Sequence, residues 1–110
     1  MSRKRLLHIA DKHREPRAWT DVFIRALREL GELEIIEQGR NLPPAEWARR
    51  IRAAHVLITS WGSIRIPEEI ARDRGNLEYV CNLTGSVRPF VPLEIVEAGI
   101  PVTNWGDVIA

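Results

Sequence analysis

The stretch LEYVCNLTGSVRPFVP, residues 77–92, decides the fold of this chain. It begins as an apolar strand over Tyr79–Leu83 and ends at three small residues, positions 84–86. A turn of small residues leaves backbone N–H groups facing outward, where they can hold an anion. The chain then runs through a short helical pattern over Pro92–Ala98 and enters another strand at Pro101. This order of strand, turn, helix and strand is the repeat unit of a parallel sheet.

The same alternation extends toward the N-terminus. Strand patterns occupy Leu6–Ala10, Leu33–Ile36 and His55–Thr59, and helical spacing occupies Trp19–Leu30, Trp47–Ala54 and Pro67–Arg72. Short loops between them favour right-handed crossovers with helices on both faces of the sheet. Five such strands predict an α/β, flavodoxin-like three-layer sandwich with a five-stranded parallel sheet of order 2-1-3-4-5. Gly31 is expected to end the first helix in a left-handed conformation.

The composition predicts one soluble domain spanning residues 1–110, because 45% hydrophobic content is enough for a single core. The net charge of +1, with both signs interspersed, lacks the basic stripe of a nucleic-acid binder. No apolar run reaches the ~20 residues that span a bilayer, and no signal peptide is visible. The single cysteine, Cys81, is expected to be a buried structural thiol. We therefore expect a cytoplasmic protein with no nucleic-acid or membrane partner.

Several familiar chemistries have no motif in this chain. The histidines His8, His13 and His55 are scattered, and the two in strand patterns are expected to pack or form hydrogen bonds. No Cys/His spacing fits zinc, and neither GxGxxG nor GxxxxGK[ST] occurs. Asp11 stands alone, whereas a phosphoacceptor domain needs an acidic cluster, and the loop after the first strand lacks the hydroxyls and glycines of a flavin site. We therefore predict no metal, no cofactor and no catalytic residue within the chain.

A ligand site is expected at one edge of the predicted sheet. Ligands of open parallel sheets bind beyond the carboxyl ends of the strands, near the point where strand order reverses. The small and amide-rich segments at this edge form a plausible floor for a small acid. They comprise Asp11–His13 after the first strand, Ser60, Trp61, Gly62 and Ser63 after the third, Thr84, Gly85, Ser86, Val87 and Arg88 after the fourth, and Asn104–Asp107 after the fifth. The alternative is that Gly62, Gly85 and Gly106 only permit tight turns.

Residues 77–91, followed by EIVEAGIPVTN over residues 94–104, carry a resemblance to a known family. They resemble the end of the first catalytic-domain segment of the NAD-dependent D-2-hydroxyacid dehydrogenases, the phosphoglycerate and glycerate dehydrogenase group. The resemblance covers the whole chain in strand–helix order and is specific over residues 77–104. It implies a flavodoxin-like substrate-binding domain, completed by a C-terminal helix, with a cofactor-binding Rossmann domain inserted between the two segments.

The resemblance also implies a site. By position, the amides of Gly85 and Ser86 hold the substrate carboxylate, Thr84 and Val87 flank them, and the loop Ser60–Gly62 lines the same cleft. The family turn is Gly-x-Gly, a valine-like residue and Asp, so here Arg88 replaces an acid and either adds positive charge to the site or reaches solvent. The family's NAD loop and catalytic arginine, glutamate and histidine belong to the cofactor domain.

Two functions follow. The first is an isolated substrate-binding domain of this oxidoreductase family, which binds small 2-hydroxy or 2-oxo acids but is inactive alone because NAD and the catalytic groups lie elsewhere. The second is a stand-alone flavodoxin-like binding or interaction module that self-associates and is not an enzyme. In either case we expect a homodimer, formed through surfaces left open by the missing domain.

Overall fold

The computed structural model describes residues 4–9, 20–36, 42–59, 63, 65–83 and 91–104. In chain order the elements are β1 (Lys4–Ile9), α1 (Asp21–Leu30), β2 (Gly31–Ile36), α2 (Pro44–Ala53), β3 (Val56–Thr59), a 3-10 helix (Glu68–Ala71), β4 (Tyr79–Asn82), α3 (Leu93–Glu97) and β5 (Val102–Asn104). The five strands form one sheet of order β2-β1-β3-β4-β5, with every pair parallel. The predicted α/β flavodoxin-like fold is therefore confirmed.

One side of the sheet, face A, is covered by α2, the 3-10 helix and α3. Its strand positions follow from the register, in which Leu7 pairs with Leu57 and Leu57 pairs with Val80. The buried hydrophobic residues of this face form one cluster: Leu7, Ile9, Ala48, Ile51, Ala54, Leu57, Ile66, Ile70, Leu77, Val80, Val91, Ile95 and Ile100. Burial of this much hydrocarbon is the main force that holds the helices against the sheet.

The other side, face B, carries α1. Its cluster has three buried residues, Leu6, Ile24 and Ile58. Seven further hydrophobic residues are only partly buried: Phe23, Leu27, Leu33, Ile35, Val56, Cys81 and Leu83. Cys81, expected to be a buried structural thiol, packs against this cluster but is only partly buried, because its side chain lies on this less completely covered face. No helix in the described part of the chain is long and apolar enough to cross a membrane.

Gly31 joins α1 directly to β2. Its φ of −177° is extended, so the expectation of a left-handed helix end was wrong. A glycine is nevertheless required, because a Cβ built at this position would lie 2.3 Å from the Lys4 carbonyl oxygen. Lys4 is the register partner of Gly31 across the β1–β2 pair. The absence of a side chain thus lets two strand backbones approach each other at the point where the helix ends.

Residues 98–104, the AGIPVTN segment, comprise the residue that follows α3, a glycine turn and all of β5. Gly99 adopts a φ of +86°, the left-handed conformation in which glycine commonly follows a helix. Its N–H donates to the Val96 carbonyl oxygen at 3.0 Å, which closes the last turn. Ile100 is buried against face A, and Val102 pairs in parallel with Val80. Together with α3, the segment therefore forms the helix, glycine turn and strand that the sequence predicts.

Candidate functional site

The strand order reverses between β1 and β3. From β1 the chain places β2 on one side, and β3, β4 and β5 follow on the other. In open α/β sheets, ligands occupy the crevice beyond the carboxyl ends of the strands at such a reversal. The described strands near this crevice end at Ile9, Thr59 and Asn82. This carboxyl edge is the candidate functional site.

The site residues predicted from the sequence follow this edge directly. All of them lie outside the described residues: Ser60, Trp61, Gly62, Thr84, Gly85, Ser86, Val87 and Arg88. The residues that immediately precede them, Thr59 and Leu83, are described, and both belong to the sheet edge. The assignment of the two loops to acid binding stays a prediction. The structure does describe Thr59 and Leu83, from which the loops begin, and their surroundings.

A buried polar pair links the ends of β3 and β4. The hydroxyl of Thr59 donates to the amide oxygen of Asn82 over 2.8 Å, since a carbonyl-type oxygen can only accept. The two residues are register partners and are 2% and 0% exposed. Removing such groups from water is unfavourable unless they bond to each other, so the pair is held in one arrangement. It stands at the edge of face A, whose buried cluster is otherwise hydrocarbon.

A main-chain hydrogen bond extends this link between β3 and β4 by one residue. The N–H of Leu83 donates to the carbonyl oxygen of Thr59 at 2.7 Å, beyond the last residue of β4. The strand end is therefore fixed up to the position that precedes Thr84. On the other strand, Thr59 itself precedes Ser60. Both predicted loops thus begin from residues that are bonded to each other.

His8 fixes the neighbouring strand from face B. It is fully buried, and its Nδ1 lies 2.8 Å from the carbonyl oxygen of Ile58, so Nδ1 carries the proton. His55 accepts a hydrogen bond on Nδ1 from the N–H of Arg5 at 2.9 Å. The prediction that these two histidines form hydrogen bonds is confirmed. Within the described ranges, no group of three or more His, Cys, Asp or Glu residues is placed to hold a metal ion.

A small cavity of about 10 Å³ opens beside Thr59 on face A. It is lined by Ile9, Trp47, Ile51, Leu57, Thr59 and Arg65. Its volume corresponds to about one water molecule. Arg65 is exposed at the mouth of the cavity and brings a permanent positive charge to the carboxyl edge. The polar residues of its lining are Trp47, Thr59 and Arg65, and the Thr59 hydroxyl is already bonded to Asn82.

Sequence reasoning did not select Thr59, Asn82 or Arg65. The polar residues that end the apolar runs HVLIT and YVCN were a usable signal, because a polar residue at the last position of a buried strand faces the ligand edge. The sequence alone did not reveal that Thr59 and Asn82 are register partners. The arginine was visible only as one charge within a loop.

A larger groove, of about 370 Å³, lies elsewhere, between α2 and strands β1 and β2. Its charged lining residues are Arg5, Glu32, Glu34, Arg49 and Arg50. Arg50 forms an ion pair with Glu34 at 3.2 Å, and Arg49 pairs with Glu46 at 2.6 Å. The hydrogen bond from Arg49 holds the pKa of the Glu46 carboxyl below its usual value, and that bond raises the pKa of Arg49. These pairs tie α2 to itself and to β2, so the groove is a structural feature rather than the candidate site.

Comparison with known proteins adds no relative to this picture. No protein-family model, no curated protein and no solved structure matches the chain.

Proposed function

We propose that the chain is the substrate-binding domain of an enzyme of the D-2-hydroxyacid dehydrogenase type, and that it holds small 2-hydroxy or 2-oxo acids at the carboxyl edge of the sheet. The observation that carries this proposal is the buried Thr59–Asn82 pair, which fixes two strand ends beside the reversal of strand order. The resemblance over residues 77–104 supports the same conclusion.

In this proposal the acid is held mainly by main-chain groups. The amides of Gly85 and Ser86 donate to the carboxylate, Thr84 and Val87 flank the turn, and the loop Ser60–Gly62 closes the cleft. Successive backbone N–H groups in a turn can bind an anion because the positive ends of their dipoles converge on one place. Arg65 adds positive potential at the same edge.

Hydride transfer needs a nicotinamide and an acid/base group next to the substrate carbon. The proposal assigns both, together with NAD binding, to polypeptide outside these 110 residues, because the sequence has no dinucleotide-binding glycine motif. The chain alone then binds the acid without converting it. Its proposed location is the cytoplasm.

The test is a titration of the 15N-labelled chain with pyruvate, followed by amide chemical shifts. Shifts should concentrate at residues 60–62 and 84–88, and propionate, which lacks the 2-oxo oxygen, should bind more weakly. Ser86→Pro removes the donor N–H and should abolish binding, whereas Ser86→Ala keeps the N–H and should preserve it. Shifts centred on the groove near Arg5 and Arg50, or oxidation of NADH by the chain alone, would contradict the proposal.

A second function, self-association as an interaction module, is favoured by the surface of α1. Val22 and Leu30 are 74% and 72% exposed, and Ala26, also exposed, lies between them at four-residue spacing. Residues at this spacing share one side of a helix, so they form a continuous apolar stripe. The stripe belongs to the helix of face B, where seven hydrophobic residues are only partly buried. A two-fold dimer would bury the same patch on both chains.

Sedimentation velocity over a concentration series tests this second function. Val22→Gln with Leu30→Gln should shift the chain to monomer. The matched control is Leu93→Gln with Val96→Gln on α3, which removes two hydrophobic side chains that are 65% and 49% exposed on the other side of the sheet. A wild-type chain that stays monomeric throughout, or an equal effect of the control, would contradict the homodimer.

A further inference from the structure

We propose that the groove between α2 and strands β1 and β2 is a second binding site, distinct from the carboxyl edge, and that it takes a free α-amino acid with an aliphatic side chain. In this site Arg5 holds the carboxylate of the ligand and Glu32 holds its ammonium group. Each is the second residue of its strand, so the site lies toward the amino ends of β1 and β2. It is independent of the proposed acid-binding function.

The shape of the groove follows from how α2 packs. The helix contacts the face A cluster through Ile51 and Ala54, whereas the side chains that β2 presents on the same face include the exposed glutamates 32 and 34. Ala53, the last residue of α2, lines the groove and contributes only a methyl group to it. The resulting space of about 370 Å³ is within the range of about 300–1,000 Å³ that is usual for small-molecule sites.

The ion pairs of α2 account for only part of the charge in this groove. Arg49 and Arg50 are engaged by glutamates, as described above. Within the described part of the chain, by contrast, the Arg5 guanidinium and the Glu32 carboxylate form no ion pair, and both side chains are exposed. These two residues are register partners on neighbouring strands. The groove therefore presents one positive and one negative group, side by side and both available to a ligand.

The two charges determine the class of ligand. A simple anion would be repelled by the Glu32 carboxylate, and a simple cation by the Arg5 guanidinium. A zwitterion satisfies both, because a guanidinium binds a carboxylate through two parallel N–H donors and a carboxylate accepts hydrogen bonds from an ammonium group. In an α-amino acid both charged groups are attached to the same carbon. Since neighbouring strands lie about 4.8 Å apart, such a ligand can contact both residues at once.

The remaining lining favours an aliphatic side chain on the ligand. Ala53 and Ala54 bring hydrocarbon to the groove from the end of α2. Apolar surface of the ligand would lose contact with water against them, which is favourable. The carbonyl end of a helix also carries a partial negative charge, so the end of α2 adds to the attraction for the ammonium group.

The first experiment titrates the 15N-labelled chain with L-leucine and follows the amide chemical shifts. We expect shifts at residues 5–7, 32–34 and 49–54. N-acetyl-leucine lacks the ammonium charge and leucinamide lacks the carboxylate. Each analogue should bind about fivefold more weakly than leucine, the size of effect expected for one charged contact that stays partly exposed.

The second experiment uses variants of the groove. Arg5→Gln and Glu32→Gln should each weaken leucine binding about fivefold. The matched controls are Arg25→Gln and Glu29→Gln on the exposed surface of α1, which remove the same charges outside the groove and should leave leucine binding unchanged. Ala53→Leu fills the groove without changing its charge and should abolish leucine binding, while circular dichroism and urea unfolding stay close to those of the wild type.

Groove amides that do not respond to leucine would overturn the proposal, since Arg5 and Glu32 would then serve only each other or solvent. Equal binding of leucine and its two analogues would overturn the assigned roles, as would equal losses in the groove variants and the α1 controls. Leucine binding at the groove without pyruvate binding at the carboxyl edge would support this site while contradicting the proposed function.

Discussion

The two faces of the sheet are built from the same strands but differ sharply in burial. Among the described residues, the face A cluster has thirteen buried hydrophobic residues and the face B cluster has three. Successive side chains of a strand point to opposite faces, so Leu57 and Ile58 serve different layers although they are adjacent. Face A therefore holds most of the buried core, whereas face B retains apolar surface that is only partly covered.

The helices on the two faces also begin differently. On face A, α2 and α3 follow Pro43 and Pro92, whose fixed φ suits the entry to a helix. On face B, α1 follows Thr20, whose side chain accepts a hydrogen bond from the N–H of Phe23 at 3.2 Å. Proline presets the backbone conformation, while the threonine satisfies one of the free N–H groups at the helix start.

The largest expected effect contrasts matched isoleucines on the two faces. Ile95→Ala on α3 removes a fully buried side chain of face A and should lower the free energy of unfolding by about 2–5 kcal/mol. Ile35→Ala on β2 removes a partly buried side chain of face B and should lose less than half as much. Urea denaturation measures both. Equal losses would show that face B is as tightly packed as face A.

The next effect concerns the junction between α1 and β2. Gly31→Ala would place a Cβ 2.3 Å from the Lys4 carbonyl oxygen and should cost about 1–3 kcal/mol through strain. Gly99→Ala is the control, because its Cβ would meet nothing within 4 Å and only the left-handed backbone is penalised, by about 1 kcal/mol. Thermal unfolding compares them, and a milder effect at Gly31 than at Gly99 would refute the close-approach explanation.

A smaller effect is expected at the start of α1. Thr20→Ala removes the acceptor for the Phe23 N–H and should cost about 1 kcal/mol. Thr20→Ser keeps a hydroxyl acceptor and should be nearly neutral. If circular dichroism and urea unfolding show the alanine variant to be as stable as the serine variant, the side-chain cap does not contribute to the face B helix.

The smallest effect involves an ion pair between the starts of β1 and β4, which belongs to neither core. Lys4 contacts Glu78 at 2.7 Å, and this hydrogen bond lowers the pKa of the Glu78 carboxyl. A carboxyl with a lowered folded-state pKa stabilises the fold above its unfolded-state pKa, and the contribution is lost as pH falls through the folded-state value. Both side chains are about half exposed, so solvent and salt screen the pair.

Glu78→Gln should therefore be slightly less stable than the wild type at about pH 7 and equal to it at about pH 2, where the carboxylate is protonated in both states. Added salt should shrink the difference near neutrality. Unfolding curves at the two pH values provide the measurement. A difference that persists at low pH would have to come from something other than this ion pair.

Most of the fold was predictable because it depends on local patterns. Hydrophobic periodicity and glycine or proline residues between the segments indicated the five strands, and the doubly wound arrangement that such alternation favours indicated their order. The errors at Gly31 and Cys81 arose from tertiary relations: the first from how closely two backbones approach, the second from which face of the sheet a helix covers. The Thr59–Asn82 bond joins residues 23 positions apart, so it required the strand register. The predicted loops themselves lie outside the described residues.

The direct passage from α1 to β2 at Gly31 has a mechanical consequence. Because no loop residues separate α1 from β2, a displacement of the helix cannot be absorbed between them. A molecule that displaced α1 would therefore also load β2, the edge strand to which the helix is directly joined. Binding to the exposed side of α1 would thus affect β2, the edge strand farthest from β5.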